Sequence, residues 1–520
     1  MTRTSRPLYN PPMKAVLVLP PFRDFYNSPG RLSALGLRSL EAVLEERGWE
    51  TRMLLFPLLV PRGRTVPLPR ELDYLKPYLI PGETGPLSWF TAYRQFGPDP
   101  EAAAEAVRDE RPDLVLVSAF AWAYAEEARD TARSIRRLLP EAPLVLGGGA
   151  CSVLPEYFAR PDTADFLFVG EAEPGFRQFL EILESGRRPG PSDGIHNLMF
   201  PGVPAPVRAD SREQELHPVW ARVSPSGAPR YATVLSRGCP RGCRFCSNRF
   251  THGTRFRTVP EERILASLEE LPREGELHVN FEDDNLLLQR EAFLRILRTL
   301  KARNPRFRFS AENGMDYTLL SPEVLEELAG LGLSQLNLSL AAPRRETALR
   351  ERRFLDWERF DRVIARAAVL GIPVIAYFIC GLEGDSPTGT VEILAGLSAR
   401  PVTLGISLYY PVPGLEGIPG FGSPETFLSL PPRLCAGSSA RPWTGALSTS
   451  EMLTAFRLAR YANLRRRGAA SPREQLLLDR CRETGRLYTL RRFRGAPELA
   501  EVPGMDREMT LSYFRLIRDP

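Results

Sequence analysis

Short apolar runs alternate with stretches of helical periodicity along the first third of the chain. Strand-like runs occur at residues 14–19, 49–56, 113–118, 144–146 and 165–169. Residues 32–47, 100–110 and 126–139 instead carry apolar side chains at helical spacing. A continuous apolar run is typical of a strand buried on both faces, and strands that alternate with helices predict a parallel sheet covered by helices on both sides.

A second strand–helix series follows in the middle of the chain. The predicted strands are 231–235, 276–281, 307–311, 335–340, 373–379 and 402–409. The predicted helices between them are 261–271, 290–301, 321–331, 357–370 and 388–397. Six such units are too few for a closed eight-stranded barrel and predict a partial (β/α)6 barrel. In both kinds of parallel sheet we expect ligands at the carboxyl ends of the strands.

The fold class predicted from these patterns is α/β, with four regions. They are a Rossmann-like domain at 1–190, a linker at 191–228, the partial barrel at 229–415 and a small, mainly helical region at 416–520. Within the first domain, residues 57–98 interrupt the alternation and are rich in proline and aromatic residues. This insertion is too long for a simple connection, so we expect it to pack over the ligand edge of the sheet or on the neighbouring domain.

Composition indicates which partners and which cellular compartment to expect for the protein. The chain has 520 residues and a net charge of only +5, and its arginines are interleaved with acidic residues. This charge pattern does not indicate a nucleic-acid-binding surface. No apolar run is long enough to span a membrane, and residues 1–10 lack the apolar core of a secretory signal. Seven cysteines, an odd number, argue against a disulfide framework and favour the reducing cytoplasm.

Three of the seven cysteines lie within eight residues, at Cys239, Cys243 and Cys246. The spacing is C-x3-C-x2-C, directly after the first strand of the second series. Thiolates at this density suit zinc or an iron–sulfur cluster. A structural zinc site needs a fourth ligand, for which His252 is the nearest candidate. Three thiolates on a four-iron cluster would leave one iron open to a small molecule.

This motif, with Phe245 before its last cysteine, resembles the signature of the radical S-adenosylmethionine (SAM) superfamily. The form SRGCPRGCRFCS at 236–247 is similar to members that carry an N-terminal cobalamin-binding domain. The resemblance implies a [4Fe-4S] cluster on the three cysteines. It also implies SAM on the open iron and reductive cleavage of SAM to a 5′-deoxyadenosyl radical. It further implies an electron donor such as flavodoxin or ferredoxin.

The same resemblance suggests which residues at the strand ends contact SAM. The candidates are Phe245 in the motif, Glu282 and Asp283 after the second strand, Glu312 after the third, Ser339 at the end of the fourth and Gly381 after the fifth. Three consecutive carboxylates at 282–284 also repel one another unless a cation is near, and the ammonium of SAM is one such cation. The alternative for this acidic stretch is a solvated turn.

In the first domain, the resemblance assigns cobalamin to the glycine-rich strand ends. The candidate contacts are Gly147, Gly148, Gly149, Gly170 and Glu171. The alternative is that the glycines only make a tight turn. Residues 1–190 contain no histidine, so the D-x-H-x-x-G ligation of cobalt by this domain is excluded. Cobalamin would bind without that ligand or would have been lost.

The combined hypothesis is a cobalamin-dependent radical SAM methyltransferase that acts on an unactivated centre of a small-molecule or peptide substrate. One alternative keeps the cluster and SAM but catalyses a cyclisation, rearrangement or oxidation. Another, from a different class, is a zinc-stabilised α/β binding module. Cys380 and Cys435 are weak catalytic candidates, because a buried thiol is more often structural.

Overall fold

The computed structural model describes residues 12–25, 32–89, 91–203, 216–223, 229–416 and 423–517. Its first domain is a six-stranded sheet in the order β3-β1-β6-β7-β8-β9. The elements of this part are β1 Lys14–Leu19, β2 Phe22–Asp24, α1 Leu35–Glu46, β3 Glu50–Leu55, α2 Phe56–Leu59, β4 Arg64–Thr65, β5 Arg94–Phe96, α3 Pro100–Asp109, β6 Leu114–Ser118, α4 Ala125–Leu138, β7 Leu144–Gly147, α5 Gly149–Val153, β8 Phe166–Phe168, α6 Glu173–Glu184 and β9 Leu198–Met199. All neighbours pair in parallel except β9, which runs antiparallel to β8.

Strands β1, β6, β7 and β8 are buried on both faces, as their apolar runs predict, whereas the edge strand β3 contains no buried residue. Five of the six residues of β1 are inaccessible to solvent. Helices α1 and α6 contribute Leu44, Phe176 and Phe179 to one hydrophobic core against the sheet. Strand β9 lies within the predicted linker and extends the sheet instead, while the linker residues 204–215 and 224–228 fall outside the described ranges.

The second domain contains six parallel strands in two sets of three. Its elements are β10 Ala221–Arg222, β11 Arg230–Thr233, β12 Ser236–Arg237, α7 Asn248–Thr251, β13 Arg257–Thr258, α8 Glu261–Ser267, β14 Leu277–Phe281, α9 Arg290–Arg303, β15 Phe307–Ser310, α10 Pro322–Gly330, β16 Leu336–Ala341, α11 Arg345–Arg350, α12 Trp357–Val369, β17 Val374–Cys380, α13 Pro387–Ser398 and β18 Thr403–Leu408. The sets β11-β14-β15 and β16-β17-β18 are joined by two isolated parallel bridges, Phe309 to Leu333 and Met315 to Leu338. This is the partial (β/α)6 barrel expected from the sequence.

Within its described residues, the C-terminal region contains four helices, as a mainly helical region predicts. It also contains a β-hairpin, which the sequence did not predict. Its elements are α14 Pro424–Ser429, α15 Thr449–Arg467, α16 Pro472–Thr484, β19 Tyr488–Phe493, β20 Ala496–Glu501 and α17 Arg507–Leu516. Helix α15 begins where expected, because Ser448 and Glu451 form a capping box. Most residues of β20 are exposed, so the hairpin lacks the apolar alternation by which strands are predicted.

The insertion at 57–98 packs against this C-terminal region. The Thr84 amide donates to the Leu490 carbonyl at 2.8 Å, which attaches the insertion to β19. Arg457 of α15 forms an ion pair with Glu83 at 2.6 Å, and both side chains are at most 2% exposed. The insertion therefore connects the first domain to the last region of the chain.

Candidate functional site

The cysteine motif forms a tight loop between β12 and α7. Gly238 opens this loop with a φ of +84°, and a Cβ atom there would lie 2.1 Å from the Arg255 carbonyl oxygen. Only glycine satisfies both conditions. All three cysteines of the loop are free thiols. Burial raises the pKa of Cys246 to about 11, and the proximity of Cys243 and Cys239 adds to this effect.

The acidic stretch after β14 accepts hydrogen bonds from the chain at the start of this loop. Asp283 is buried and accepts hydrogen bonds from the Leu235 amide at 3.1 Å and from Ser236 Oγ at 2.5 Å. Asp284 accepts from the Gly238 amide at 2.7 Å, immediately before the first cysteine. Burial raises the pKa of Asp283 to about 7 despite these bonds. Two of the three carboxylates thus position the chain that carries the thiols.

Asp284 also holds the helix that follows the cysteines. Its carboxylate accepts from Asn248 Nδ2 at 2.7 Å and lies 2.9 Å from His252 Nδ1. His252 is therefore engaged by a carboxylate. Within the described part of the chain, no three His, Cys, Asp or Glu side chains are arranged to hold a single metal ion.

Two side-chain nitrogen donors lie close to two of the three sulfur atoms. Asn285 Nδ2 lies 3.8 Å from Cys239 Sγ, and Arg353 Nη1 lies 3.9 Å from Cys243 Sγ. Arg241, within the loop, forms an ion pair with Asp316 at 2.8 Å after β15. Three thiols in one short loop, with N–H donors close to two of their sulfurs, suit an iron–sulfur cluster, whose potential depends on such hydrogen bonds.

The predicted SAM contacts lie in different environments. Glu282 faces a cavity between the two domains, where it accepts a hydrogen bond from Ser33 Oγ at 2.8 Å. Asp283 does not share that surface, because its carboxylate lies under the cysteine loop. Glu312 forms an ion pair with Arg230 at 3.1 Å. Glu282 and Asp283 therefore have different surroundings, and the geometry does not support one SAM role for both.

The remaining SAM candidates lie around the ends of β16 and β17. Ser339 precedes a register irregularity in β16, and its carbonyl accepts from Arg353 Nη2 at 2.7 Å. Gly381 has a φ of +91°, and its amide donates to Asp385 at 2.9 Å. Phe245 packs on a small cluster that contains Leu382. The aromatic residue of the motif and the glycine segment therefore meet at one side of the barrel mouth.

The predicted cobalamin residues line a cavity of about 440 Å³ at the carboxyl edge of the first sheet. Gly147, Gly148, Gly149, Gly170 and Glu171 all contribute to its wall, and Glu282, Arg237 and His252 come from the second domain. A Cβ atom at Gly147 would meet nothing closer than 3.8 Å, so this position leaves space for a ligand. A volume of several hundred Å³ is typical of a small-molecule site. The five residues therefore lie together on one wall of a cavity of that size.

Glu171 has a second role that the sequence did not predict. Its carboxylate accepts two hydrogen bonds from Arg257, at 2.8 and 2.7 Å, and only 4% of the side chain is exposed. Its neighbour Glu173 pairs with Arg237 at 2.9 Å. Because both arginines belong to the β12–β13 hairpin, these pairs attach the cysteine loop to the first domain. Arg257 also donates to the His252 carbonyl at 2.9 Å.

The two candidate catalytic cysteines are both enclosed. Cys380, at the end of β17, is 2% exposed, and burial raises its pKa well above the usual value. Cys435 is 0% exposed, and burial raises its pKa to about 12. Both are therefore neutral thiols with no access to solvent.

Sequence reasoning missed Asp284, Asn285, Arg257 and Arg353. Asp284 and Asn285 carried a signal, because they follow a strand whose carboxyl end faces the cysteine loop. The two arginines gave no such signal, since nothing in their local pattern separates them from the many other arginines.

None of the described helices is long and apolar enough to span a bilayer.

Comparisons with known proteins match the two domains of the chain separately. A family model described as Radical SAM superfamily matches residues 233–395, and one described as B12 binding domain matches residues 89–180. Hopanoid C-3 methylase from Methylococcus capsulatus is 26% identical over 314 residues, which are 59% of this chain and 60% of that protein. The chain thus spans less than two thirds of that relative. Cytidylyl-2-hydroxyethylphosphonate methyltransferase from Streptomyces wedmorensis is 21% identical over 68% of this chain and 70% of its own.

Solved structures show the same fold. TsrM from Kitasatospora setae, a radical SAM methyltransferase determined with cobalamin and a [4Fe-4S] cluster, superposes with a TM-score of 0.56 at 18% identity. That superposition covers 77% of this chain and 76% of TsrM. OxsB, a cobalamin-dependent radical SAM enzyme, gives a TM-score of 0.53 at 14% identity over 75% of this chain and 53% of its own. The predicted fold class is therefore confirmed, and so are the cofactors that the two domains imply: a [4Fe-4S] cluster, SAM and cobalamin. The chain thus contains a region that matches the radical SAM superfamily, residues 233–395, and ahead of it a region that matches a B12-binding domain, residues 89–180.

Proposed function

We propose that the protein is a cobalamin-dependent radical SAM methyltransferase that acts on an unactivated carbon or phosphorus centre. The observation that carries this proposal is the interdomain cavity, whose wall combines Gly147–Gly149 of the B12-binding domain with Glu282 beside the cysteine loop. A cavity lined by both domains suits a reaction in which cobalamin and SAM act on the same substrate. The printed names of the relatives, which are methyltransferases, support the same activity.

In this proposal the chain's own residues hold and tune the cofactors. Cys239, Cys243 and Cys246 bind the cluster, which supplies one electron for the reductive cleavage of SAM. Asn285 and Arg353 direct N–H groups at the sulfurs and stabilise added negative charge there. Positioning of this kind is what a protein contributes when the cofactor carries the chemistry.

The proposed setting is a reducing compartment such as the cytoplasm. All seven cysteines are free, and five of them are buried. The proposed partners are a small-molecule or peptide substrate and a protein that donates electrons, such as flavodoxin or ferredoxin. The relatives' names supply candidate acceptors for a first screen, a hopanoid and a phosphonate.

Cysteine substitution tests the cluster. We expect Cys239→Ala, Cys243→Ala and Cys246→Ala each to lose most of the bound iron and sulfide after anaerobic reconstitution, together with formation of 5′-deoxyadenosine from SAM. Cys151→Ala is the matched control, because Cys151 is a buried thiol in α5 and should retain both. One zinc and no sulfide in the wild-type protein would favour the zinc-stabilised binding module instead.

The absorption spectrum tests the second cofactor. Protein produced with cobalamin and kept anaerobic should show bands of both cluster and corrinoid, and SAM with a labelled methyl group should pass that label to the product. A cluster spectrum without corrinoid bands would favour a cyclisation, rearrangement or oxidation.

A further inference from the structure

Residues 344–354, which we call the arginine segment, cover the cysteine loop on its outer side. The Arg244 amide of the loop donates to the Glu351 carbonyl at 3.2 Å. Arg353 reaches inward from the same segment to within 3.9 Å of Cys243 Sγ. The segment is therefore the part of the surface that is directly connected to one of the proposed cluster ligands.

The arginine segment is strongly basic. It contains five arginines and two glutamates, and residues 237–249 of the loop add four arginines with no acidic residue. Arg345, Arg350 and Arg352 are exposed. Arg350 donates to the Glu383 carbonyl at 2.6 Å, which is a neutral acceptor.

Acidic groups near the segment reduce this charge only in part. Arg352 pairs with Glu416 at 3.1 Å, with both side chains more than half exposed. Arg344 lies 3.3 Å from Glu346. Exposed pairs of this kind are weak and open to exchange with another partner. The remaining glutamate, Glu351, is only 6% exposed.

Two large apolar side chains project among these arginines. Leu349 is 71% exposed and Phe354 is 59% exposed. An exposed aromatic residue surrounded by arginines has the composition of a protein interface, where aromatic residues and arginine are enriched. Neither residue contributes to the core of the barrel, so packing gives no reason for an apolar side chain at these positions.

We propose that the arginine segment is the docking surface for a small acidic electron-carrier protein of the flavodoxin or ferredoxin type. The proposal rests on the cluster assignment in the proposed function. Negative charge on the carrier would complement the arginines and raise the association rate, while Leu349 and Phe354 would supply the apolar contact. The carrier gives up one electron and the cluster gains it, with no bond made or broken. Arg353 links this segment to Cys243, and electron transfer slows steeply with distance.

Charge reversal provides the test. The variant combines Arg345→Glu with Arg352→Glu, and a second variant is Phe354→Ser. We expect the first to lower the second-order rate of cluster reduction by reduced flavodoxin at least ~10-fold at low ionic strength, with the difference shrinking in high salt. Phe354→Ser should raise the carrier concentration needed for half-maximal rate without the salt effect.

Two controls separate the possible failures. The first control is Arg64→Glu, in the first domain. Arg64 is as exposed as Arg352, and it pairs with Asp99 much as Arg352 pairs with Glu416. The cluster of this variant should be reduced by the carrier at the wild-type rate. Dithionite replaces the carrier in a parallel assay, and all variants should then cleave SAM at the wild-type rate. Failure of wild type with dithionite would overturn the proposed function. Normal dithionite activity with carrier rates unaffected by the reversals would overturn the docking surface alone.

Discussion

The backbone requires two of the three adjacent glycines at the end of β7. Gly148 has a φ of +104°, and a Cβ atom there would lie 2.8 Å from the Ala119 carbonyl oxygen. A Cβ atom at Gly149 would lie 2.7 Å from the Phe120 carbonyl oxygen. The backbone therefore needs both glycines whether or not a ligand binds. Gly147 has no such constraint, although it lines the same cavity.

Gly147→Val consequently separates ligand binding from folding. Valine suits a strand end, and a Cβ atom at this position meets only Phe168 at ordinary contact distance, so we expect a melting temperature close to wild type. It also occupies cavity volume, and hydroxocobalamin retained after gel filtration should fall at least ~10-fold. Gly330→Ala, a helix position with open surroundings, is the control and should retain full corrinoid. Equal retention by Gly147→Val would place the corrinoid elsewhere.

At the scale of elements, the end of β14 divides its three carboxylates between two tasks. Glu282 faces the interdomain cavity, while Asp283 and Asp284 accept hydrogen bonds from the cysteine loop. The three residues lie just past the end of β14, where the chain has left the strand, so neighbours in sequence face different surroundings. The loop thus depends on a strand that begins about forty residues later in the chain.

Asp283→Ala tests this division. It leaves the Leu235 amide and the Ser236 hydroxyl buried without their acceptor, at a cost of roughly 1–3 kcal/mol for each group. We expect lower stability to urea and a clear loss of reconstituted iron. Glu282→Gln should keep its iron, since it does not contact the loop. Full iron in Asp283→Ala with weakened SAM binding would instead support the SAM role first predicted for Asp283.

At the scale of the whole molecule, buried ion pairs fix the cysteine loop to the B12-binding domain. The Arg257 side chain is 9% exposed and that of Glu171 is 4% exposed. Removing one partner of such a pair leaves an uncompensated buried charge and typically costs 3–5 kcal/mol. The interface therefore sets how the cavity and the thiols are placed relative to each other.

A double-mutant cycle on Glu171→Gln and Arg257→Gln measures this coupling. Each single variant should lose stability, and the double variant should be less destabilised than the sum, because it contains no unpaired charge. Arg295→Gln and Glu261→Gln form the control cycle on an exposed pair, for which we expect ~1 kcal/mol or less. Additive losses at Glu171 and Arg257 would show that the pair does not join the domains.

Much of the architecture is predictable because its signals are local. The cysteine spacing occupies eight residues, and the buried strands β1, β6 and β17 are read from continuous apolar runs. The resemblance and the strand ends together identified the cavity glycines and Glu282. The β19–β20 hairpin was missed because its outward face gives no apolar alternation.

The sequence by itself determined the series of strands and helices, the fold class and the three thiols, since hydrophobic burial and motif spacing act over a few neighbouring residues. Only the tertiary structure decided that Glu171 pairs with Arg257, 86 positions away, and that Asp283 supports the loop that Glu282 does not touch. An ion pair forms with whichever opposite charge the fold brings within reach. Local pattern carries no record of that partner, so these contacts could be assigned only after the two domains were placed against each other.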